Sequence, residues 1–309
     1  PRCQLPLRNV DLGRTSSLLD WLATSDGVDD SVAASLHGPL LTRYAADCHE
    51  RPDVLEPSFC CGEGGARPYR FSYGFPTLRR DRAAVERAFM DLCEPFGGVV
   101  VEAARTVLRT ARSKAVEQVL FGYAHGGLGS ATRVKLYVQF FASQAELALD
   151  LASRMVGRTL TGTVHPGPLH LLCLDMGSAG VSGAKLYFFL DRLRLDEVPG
   201  RLGPIPLAAE LRQYGVSELR EVLAIHRLRG PDDPGVSETA EIDFPLEAND
   251  LGWRDVRELP LVRALLDRDV RVAALERQFR LAVRRVSGSV GDGTKLNVYY
   301  GLSEREGER

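Results

Sequence analysis

Lysine and tyrosine recur two positions apart in this 309-residue chain: Lys135 with Tyr137, Lys185 with Tyr187, and finally Lys295, Asn297 and Tyr299. Arg70 leads a similar alternation with Ser72 and Gly74. Residues two apart in a strand share a face, so each segment presents its cation and its phenol to the same side. The intervening residues form apolar opposite faces: Val134, Leu136 and Val138, then Leu186 and Phe188, then Leu296 and Val298. Several cations gathered on one inner surface repel each other and lose hydration unless an anion joins them. A diphosphate suits that need, with many acceptor oxygens and several negative charges. Tyrosine rings add π faces that stabilise positive charge and exclude water, as an allylic carbocation requires. A single Lys-Leu-Tyr is ordinary strand composition. Recurrence in phase, after similar turns, is what points to a common site.

The elements that must position these residues repeat as well. Five strand pairs are expected: 53–61 with 69–75, 116–123 with 133–140, 169–176 with 184–190, 221–228 with 239–246, and 279–286 with 294–301. Each is joined by a Gly-rich or polar turn, the signature of a hairpin. Helical patterns fall between them at 81–93, where Pro95 marks the stop, and at 143–156, where Ser143 and Glu146 have capping-box spacing and Gly157 follows. Two more fall at 206–214 and 254–268. Helices are also expected at 17–23 and 31–49. Ten antiparallel strands would expose two edges unless the sheet closed, so the expected fold is an α+β barrel of ten antiparallel strands ringed by helices. A lumen of that width exceeds what side chains alone fill. Residues 1–309 read as one such domain, with 1–50 as a helical portion packed on the barrel.

The leading base of each unit falls at 70, 135, 185 and 295, a period of 50 to 65 residues with one member missing. The gap lies in the fourth pair, which carries Glu241 and Asp243 in place of a base.

Bulk composition narrows the function classes. Lys plus Arg is 39 against 41 Asp plus Glu, which does not suit a protein that coats nucleic acid or an anionic membrane. No apolar run approaches the ~18 residues of a membrane span. The first residues lack the order of a secretion signal. The six cysteines are scattered without a Cys-x-x-Cys pair, so neither a zinc site nor a disulfide framework is expected. No Asp-Asp-x-x-Asp occurs to hold magnesium at a diphosphate. The expectation is a cytoplasmic, monomeric protein that needs no metal or other cofactor.

From about Leu55 to Tyr300 the chain resembles the aromatic prenyltransferases of the α-β-β-α barrel superfamily, and within it the cyanobactin-type peptide prenyltransferases. The resemblance rests on Leu55-Glu56-Pro57-Ser58, on Arg70-Phe71 a short turn later, on the Lys-Leu-Tyr strands and on the closing Lys295 to Tyr300. It implies that Arg70, Lys135, Lys185 and Lys295 grip the diphosphate of an isoprenoid donor, and that Tyr137, Tyr187 and Tyr299 shield the prenyl group. Glu56 would accept the proton released as the acceptor's nucleophile attacks. The implied reaction moves a dimethylallyl or longer group onto a side chain of a ribosomal peptide.

The chain departs from the pattern in two places. Ala124, His125 and Gly126 stand where the family often carries an acid and a base. Leu223-Ala224-Ile225-His226 stands where relatives tend to place bulky aromatics beside the prenyl tail. Ala224, His226 and Asn297 are therefore candidate pocket residues, small enough to admit a chain longer than five carbons. Two other readings use the same lumen: an enzyme acting on free tryptophan, another indole or a phenol, and a barrel that binds a lipid or diphosphate without catalysis.

Overall fold

The computed structural model describes residues 17–18, 20–21, 55–62, 65–76, 82–124, 133–160, 165–177, 180–198, 205–229, 236–267, 281–289 and 295–302. The strands are β1 (Leu55–Gly62), β2 (Gly65–Pro76), β3 (Val116–Ala124), β4 (Arg133–Phe140), β5 (Leu169–Gly177), β6 (Gly180–Arg194), β7 (Glu218–Arg229), β8 (Val236–Pro245), β9 (Leu281–Ser289) and β10 (Lys295–Leu302). Sequential strands pair antiparallel, and β1 pairs with both β2 and β10, so the order closes into a barrel. Each expected strand pair is found, with its ends shifted by a few residues.

The helices α1 (Arg82–Cys93), α2 (Gly98–Thr110), α3 (Ala145–Val156), α4 (Pro206–Gln213), α5 (Trp253–Arg257) and α6 (Pro260–Leu266) fall between strand pairs. Helix α2 was not anticipated. Pro95 ends α1 in a 3-10 turn, Gly97 turns the chain at φ 89°, and a new helix begins. Its buried residues Val100, Ala104, Val107 and Leu108 have the helical spacing that marks it in hindsight.

Two other local expectations are corrected. The Ser143–Glu146 capping box does not form: residues 142–144 make a 3-10 turn, α3 starts at Ala145, and its N-cap is Gln144 with no side-chain cap bond. Gly157 does close that helix in the left-handed region, at φ 67°. The single helix expected at 254–268 is two, because Pro260 forces Leu259 into an extended conformation and then opens α6. The backbone N–H of Leu261 donates to both carboxylate oxygens of Glu210 on α4, at 2.8 and 3.1 Å, which caps α6 and ties the two helices. Of the expected helix at 17–23, Ser17, Leu18, Asp20 and Trp21 are described and are helical, with Leu18 fully buried. The one at 31–49 lies outside the described residues.

The sheet carries a hydrophobic cluster on each face. The larger joins the strands' outer residues, among them Phe121, Leu136, Val138, Leu186, Phe188, Ile242, Phe244, Leu296 and Val298, to the helices through Phe89, Val107, Ala152, Leu207 and Val262. The smaller holds Cys173, Tyr187, Leu223 and Ile225, with Tyr137, Leu171 and Phe189 against it. These seven alternate in sequence with members of the larger cluster, so they face the lumen. Alternation of that kind fixes register, since a slip of one residue would exchange the faces.

Helix α4 lies close enough to β9 that only glycine fits beneath it. A Cβ on Gly288 would sit 2.8 Å from the Cβ of Leu207, which is itself buried. Gly288→Val is expected to push α4 outward and destabilise the protein by about 1–3 kcal/mol, read from the midpoint of urea unfolding.

Candidate active site

Strand register brings the sequence-separated bases to one inner surface. Arg70 on β2 pairs with Ala124 on β3, and Gly122 with Lys135 on β4. Lys135 pairs with Asp175 on β5, Tyr137 with Cys173, and Cys173 with Lys185 on β6. Lys185 then faces Arg227 on β7, while Tyr187 faces Ile225. Asn297 lies between Cys60 on β1 and Ser287 on β9, with Tyr299 between Ser58 and Arg285. Ser58 is buried at that position. Gly122 makes room for this surface: a Cβ there would stand 2.8 Å from the ring of Tyr137 and 3.1 Å from the Cβ of Lys135.

The lumen supplies its own carboxylates. Lys135 Nζ lies 3.2 Å from Asp175 Oδ1, and Lys185 Nζ lies 3.2 Å from Glu241 Oε2. The other oxygen of Glu241 accepts from Ser287 Oγ and from Asn297 Nδ2, each at 2.6 Å, and Asn297 Nδ2 also donates to Ser287 Oγ at 2.7 Å. Asn297 Oδ1 in turn accepts from the guanidinium of Arg70. One buried carboxylate on β8 thus links cations on β6 and β2 through β9 and β10. Arg285 donates to Asp243 through Nε at 3.0 Å and Nη2 at 2.6 Å, and lies over the ring of Tyr299, 5.8 Å from its centroid. Glu241 and Asp243, the departure in the fourth unit, are therefore counter-charges for the bases of the others.

Protonation follows from these contacts. Burial disfavours the Glu241 carboxylate, but Lys185, the Ser287 hydrogen bond, Arg227 and Arg70 outweigh it and hold the pKa near 2. Asp175 is likewise held below its usual range, with Lys135 and then Lys185 overcoming burial. Burial pushes Asp243 upward against the pull of Arg285. Lys185 is drawn down by burial, in spite of Glu241, with Lys135 and Arg227 adding to the effect. Three donors converge on Glu241 and keep it ionised.

The phenols share this surface with the cations. Burial, and then Cys173 and Asp175 in the case of Tyr137, or Tyr137 and Cys173 in the case of Tyr187, push both well above the normal tyrosine pKa, so both remain hydroxyl donors. Cys173 is raised to about 12, chiefly by burial, and is an inert thiol. His170 lies beside Phe189, with ring centroids 6.1 Å apart, and burial followed by Arg285 lowers it to about 4.

Arg70, Lys135, Lys185, Tyr137, Tyr187, Tyr299 and Asn297 thus share the lumen. Lys295 pairs with Gly62 and Ser289, and Glu56 with Ser72, both in phase with the inner face, while their side chains lie outside the described residues. The placement of Ala224 and His226 in the pocket is corrected. They pair with Phe188 and Leu186, whose side chains point to the helices. Ala224 is fully buried in the outer cluster, and His226 packs edge-on against Phe188 at 5.2 Å. The β7 residues that reach the lumen are Leu223, Ile225 and Arg227, one position out of phase with that expectation. Asp175, Arg227, Arg285, Ser287 and Cys173 were missed, although each alternates in sequence with an outward apolar residue. Among the described residues no group of three His, Cys, Asp or Glu side chains could hold a metal ion. No helix among them is long and apolar enough to cross a membrane.

No protein-family model matches the chain, and no curated protein matches it in sequence. Its fold is nevertheless that of several solved structures. The prenyltransferase PriB in its apo form aligns at TM-score 0.67 and 15% identity, over 95% of this chain and 97% of that one. A 6-dimethylallyltryptophan synthase from Micromonospora olivasterospora, in complex with DMASPP and Trp, aligns at TM-score 0.68 and 15% identity, over 95% and 98%. A further 6-dimethylallyl tryptophan synthase aligns at 0.65 and 16%, over 97% of each chain. At such identities the likeness is one of fold.

The half-buried His170 makes stability sensitive to acid. Its folded pKa of about 4 lies below the ordinary 6.5, so the unfolded chain takes up the proton first. Stability is then lost between pH 6.5 and about 4, by on the order of 2–3 kcal/mol. Urea titrations across that range should show the loss, and His170→Gln should remove it. The separate loss at lower pH, as Glu241 takes up a proton between 4.5 and about 2, should persist in that variant.

Proposed function

We propose that this protein is a prenyltransferase that moves an allylic isoprenoid from its diphosphate to a nucleophilic side chain of a ribosomal peptide, without a metal ion. The observation that carries this reading is the make-up of the inner surface: strand register brings Arg70, Lys135, Lys185 and Arg227 onto one face together with Tyr137, Tyr187 and Tyr299. The fold supports it, because the solved structures that share it include prenyltransferases.

In this reading Arg70, Lys135, Lys185 and Lys295 hold the diphosphate and take up the charge that builds on it as the C1–O bond breaks. The allylic cation forms against the faces of Tyr137, Tyr187 and Tyr299, which stabilise it and keep water from capturing it. The acceptor's nucleophile attacks C1, its proton passes to Glu56, and pyrophosphate leaves with the electron pair of the broken bond. The luminal apolar residues Leu171, Phe189, Leu223 and Ile225 pack beside Tyr137 and Tyr187 and would form the apolar wall for the prenyl tail.

A second acceptor class has an observation of its own. The Micromonospora olivasterospora structure holds DMASPP and Trp, and PriB has been solved as a ternary complex with L-tryptophan and dimethylallyl thiolodiphosphate. Both enclose a free amino acid in the same architecture.

The test is to incubate the protein with dimethylallyl, geranyl and farnesyl diphosphate, in EDTA, against short peptides and free aromatic amino acids. Products are read by mass spectrometry. A prenylated peptide is expected, and a product on free amino acids alone would move the protein to the second class. Activity that EDTA abolishes and magnesium restores would remove metal independence from the proposal. Glu56→Gln is expected to lower kcat by about a hundredfold or more at little change in donor KM, the pattern of a lost proton acceptor.

A further inference from the structure

Glu241 has no obvious place in a site for an anion. It is 3% exposed, ionised at any physiological pH, and set among the cations that would receive a diphosphate. A carboxylate there repels the ligand across a few ångströms of low-dielectric interior, where interactions between charges are strong. Yet it is held by three donors, Lys185, Ser287 and Asn297, and through Asn297 it is joined to Arg70.

We propose that Glu241 is a built-in competitor for Lys185, a positioning residue that sets how tightly the lumen holds diphosphate. The inference rests on the donor site proposed above. When the lumen is empty, Glu241 compensates Lys185 and keeps it on the inner face between Cys173 and Arg227. When diphosphate enters, its oxygens share that ammonium with Oε2, while Oε1 remains anchored by Ser287 and Asn297, so the carboxylate stays in place as the ligand's rival. After transfer the same rivalry drives pyrophosphate out. A lumen of unopposed lysines and arginines would bind its own product too tightly to turn over.

The experiment is a calorimetric titration of inorganic pyrophosphate into the wild-type protein and Glu241→Gln, with steady-state prenyl transfer measured on both. Loss of the rival charge should tighten pyrophosphate binding by about tenfold or more. It should also turn turnover toward strong product inhibition, with kcat falling while donor KM falls with it. A buried charge network that only supports the fold predicts the reverse, namely weaker or unchanged pyrophosphate binding, and that result would overturn the proposal. Should Glu241→Gln fail to fold, Glu241→Asp keeps the charge but draws it one methylene away from Lys185. Its pyrophosphate affinity should rise, and an affinity at or below wild type would overturn the proposal equally. In Lys185→Met the effect of Glu241→Gln should largely vanish, and an undiminished effect would show that Lys185 is not the shared partner. If the wild-type protein binds neither pyrophosphate nor dimethylallyl diphosphate, the donor site itself is absent. That outcome is distinct from one in which both bind and Glu241 has no influence.

Discussion

Burying several cations on the inside of a sheet is the constraint around which this molecule is arranged. A lysine or arginine removed from water loses several kcal/mol of hydration, and neighbouring like charges add to the cost. The lumen meets this with carboxylates placed where each can reach a base: Asp175 beside Lys135, Glu241 beside Lys185, and Asp243 beside Arg285. Arg70 and Arg227 bring further positive charge to the same surface, Arg70 through its hydrogen bond to Asn297.

The sheet's two faces divide the labour. Outward residues of β3 to β10 enter one apolar cluster with the helices, which supplies burial that holds the barrel together. Inward residues are then available for polar chemistry at little expense to the core. Because the side-chain period is two, the apolar outer pattern specifies which residues face inward without any inner residue contributing to that choice. Substitution within the lumen should therefore alter chemistry before it alters fold. Lys185 and Glu241 are the exception, because they are coupled and buried, and removal of one leaves the other uncompensated.

The same logic decides what could be read from the sequence. Five strand pairs, the placement of the helices between them and the inward direction of Lys135, Tyr137, Lys185, Tyr187, Asn297 and Tyr299 all follow from alternation against an apolar face. Where alternation is clean, phase is legible. It was misjudged on β7, where Leu223-Ala224-Ile225-His226 is apolar on both faces except for His226, and where Ala224 and His226 were taken as pocket residues from the place that the resembled family gives its aromatics. The histidine's true position is set by the pairing of Leu186 with His226, a long-range register that no local pattern carries. Arg227 continues the phase of Leu223 and Ile225, and was missed with them once the opposite phase was taken for the inner one. Asp175 was missed because its strand was read only as the partner of the one that carries Lys185. Helix α2 was legible in its Val100, Ala104, Val107 spacing, but Pro95 had been taken as the end of the helical segment and not as the break between two.

The acidic fourth unit gives the repeat its sense. Five identical cationic units around a closed ring would set like charges against one another from every direction, with no strand left to carry the opposite sign. Placing Glu241 and Asp243 in the phase where the other units carry a base and a tyrosine puts both carboxylates on one strand, within reach of partners on β6, β9 and β10. One departure compensates several bases at once, which four scattered acids could do only by each displacing a cation or an aromatic ring from its own unit.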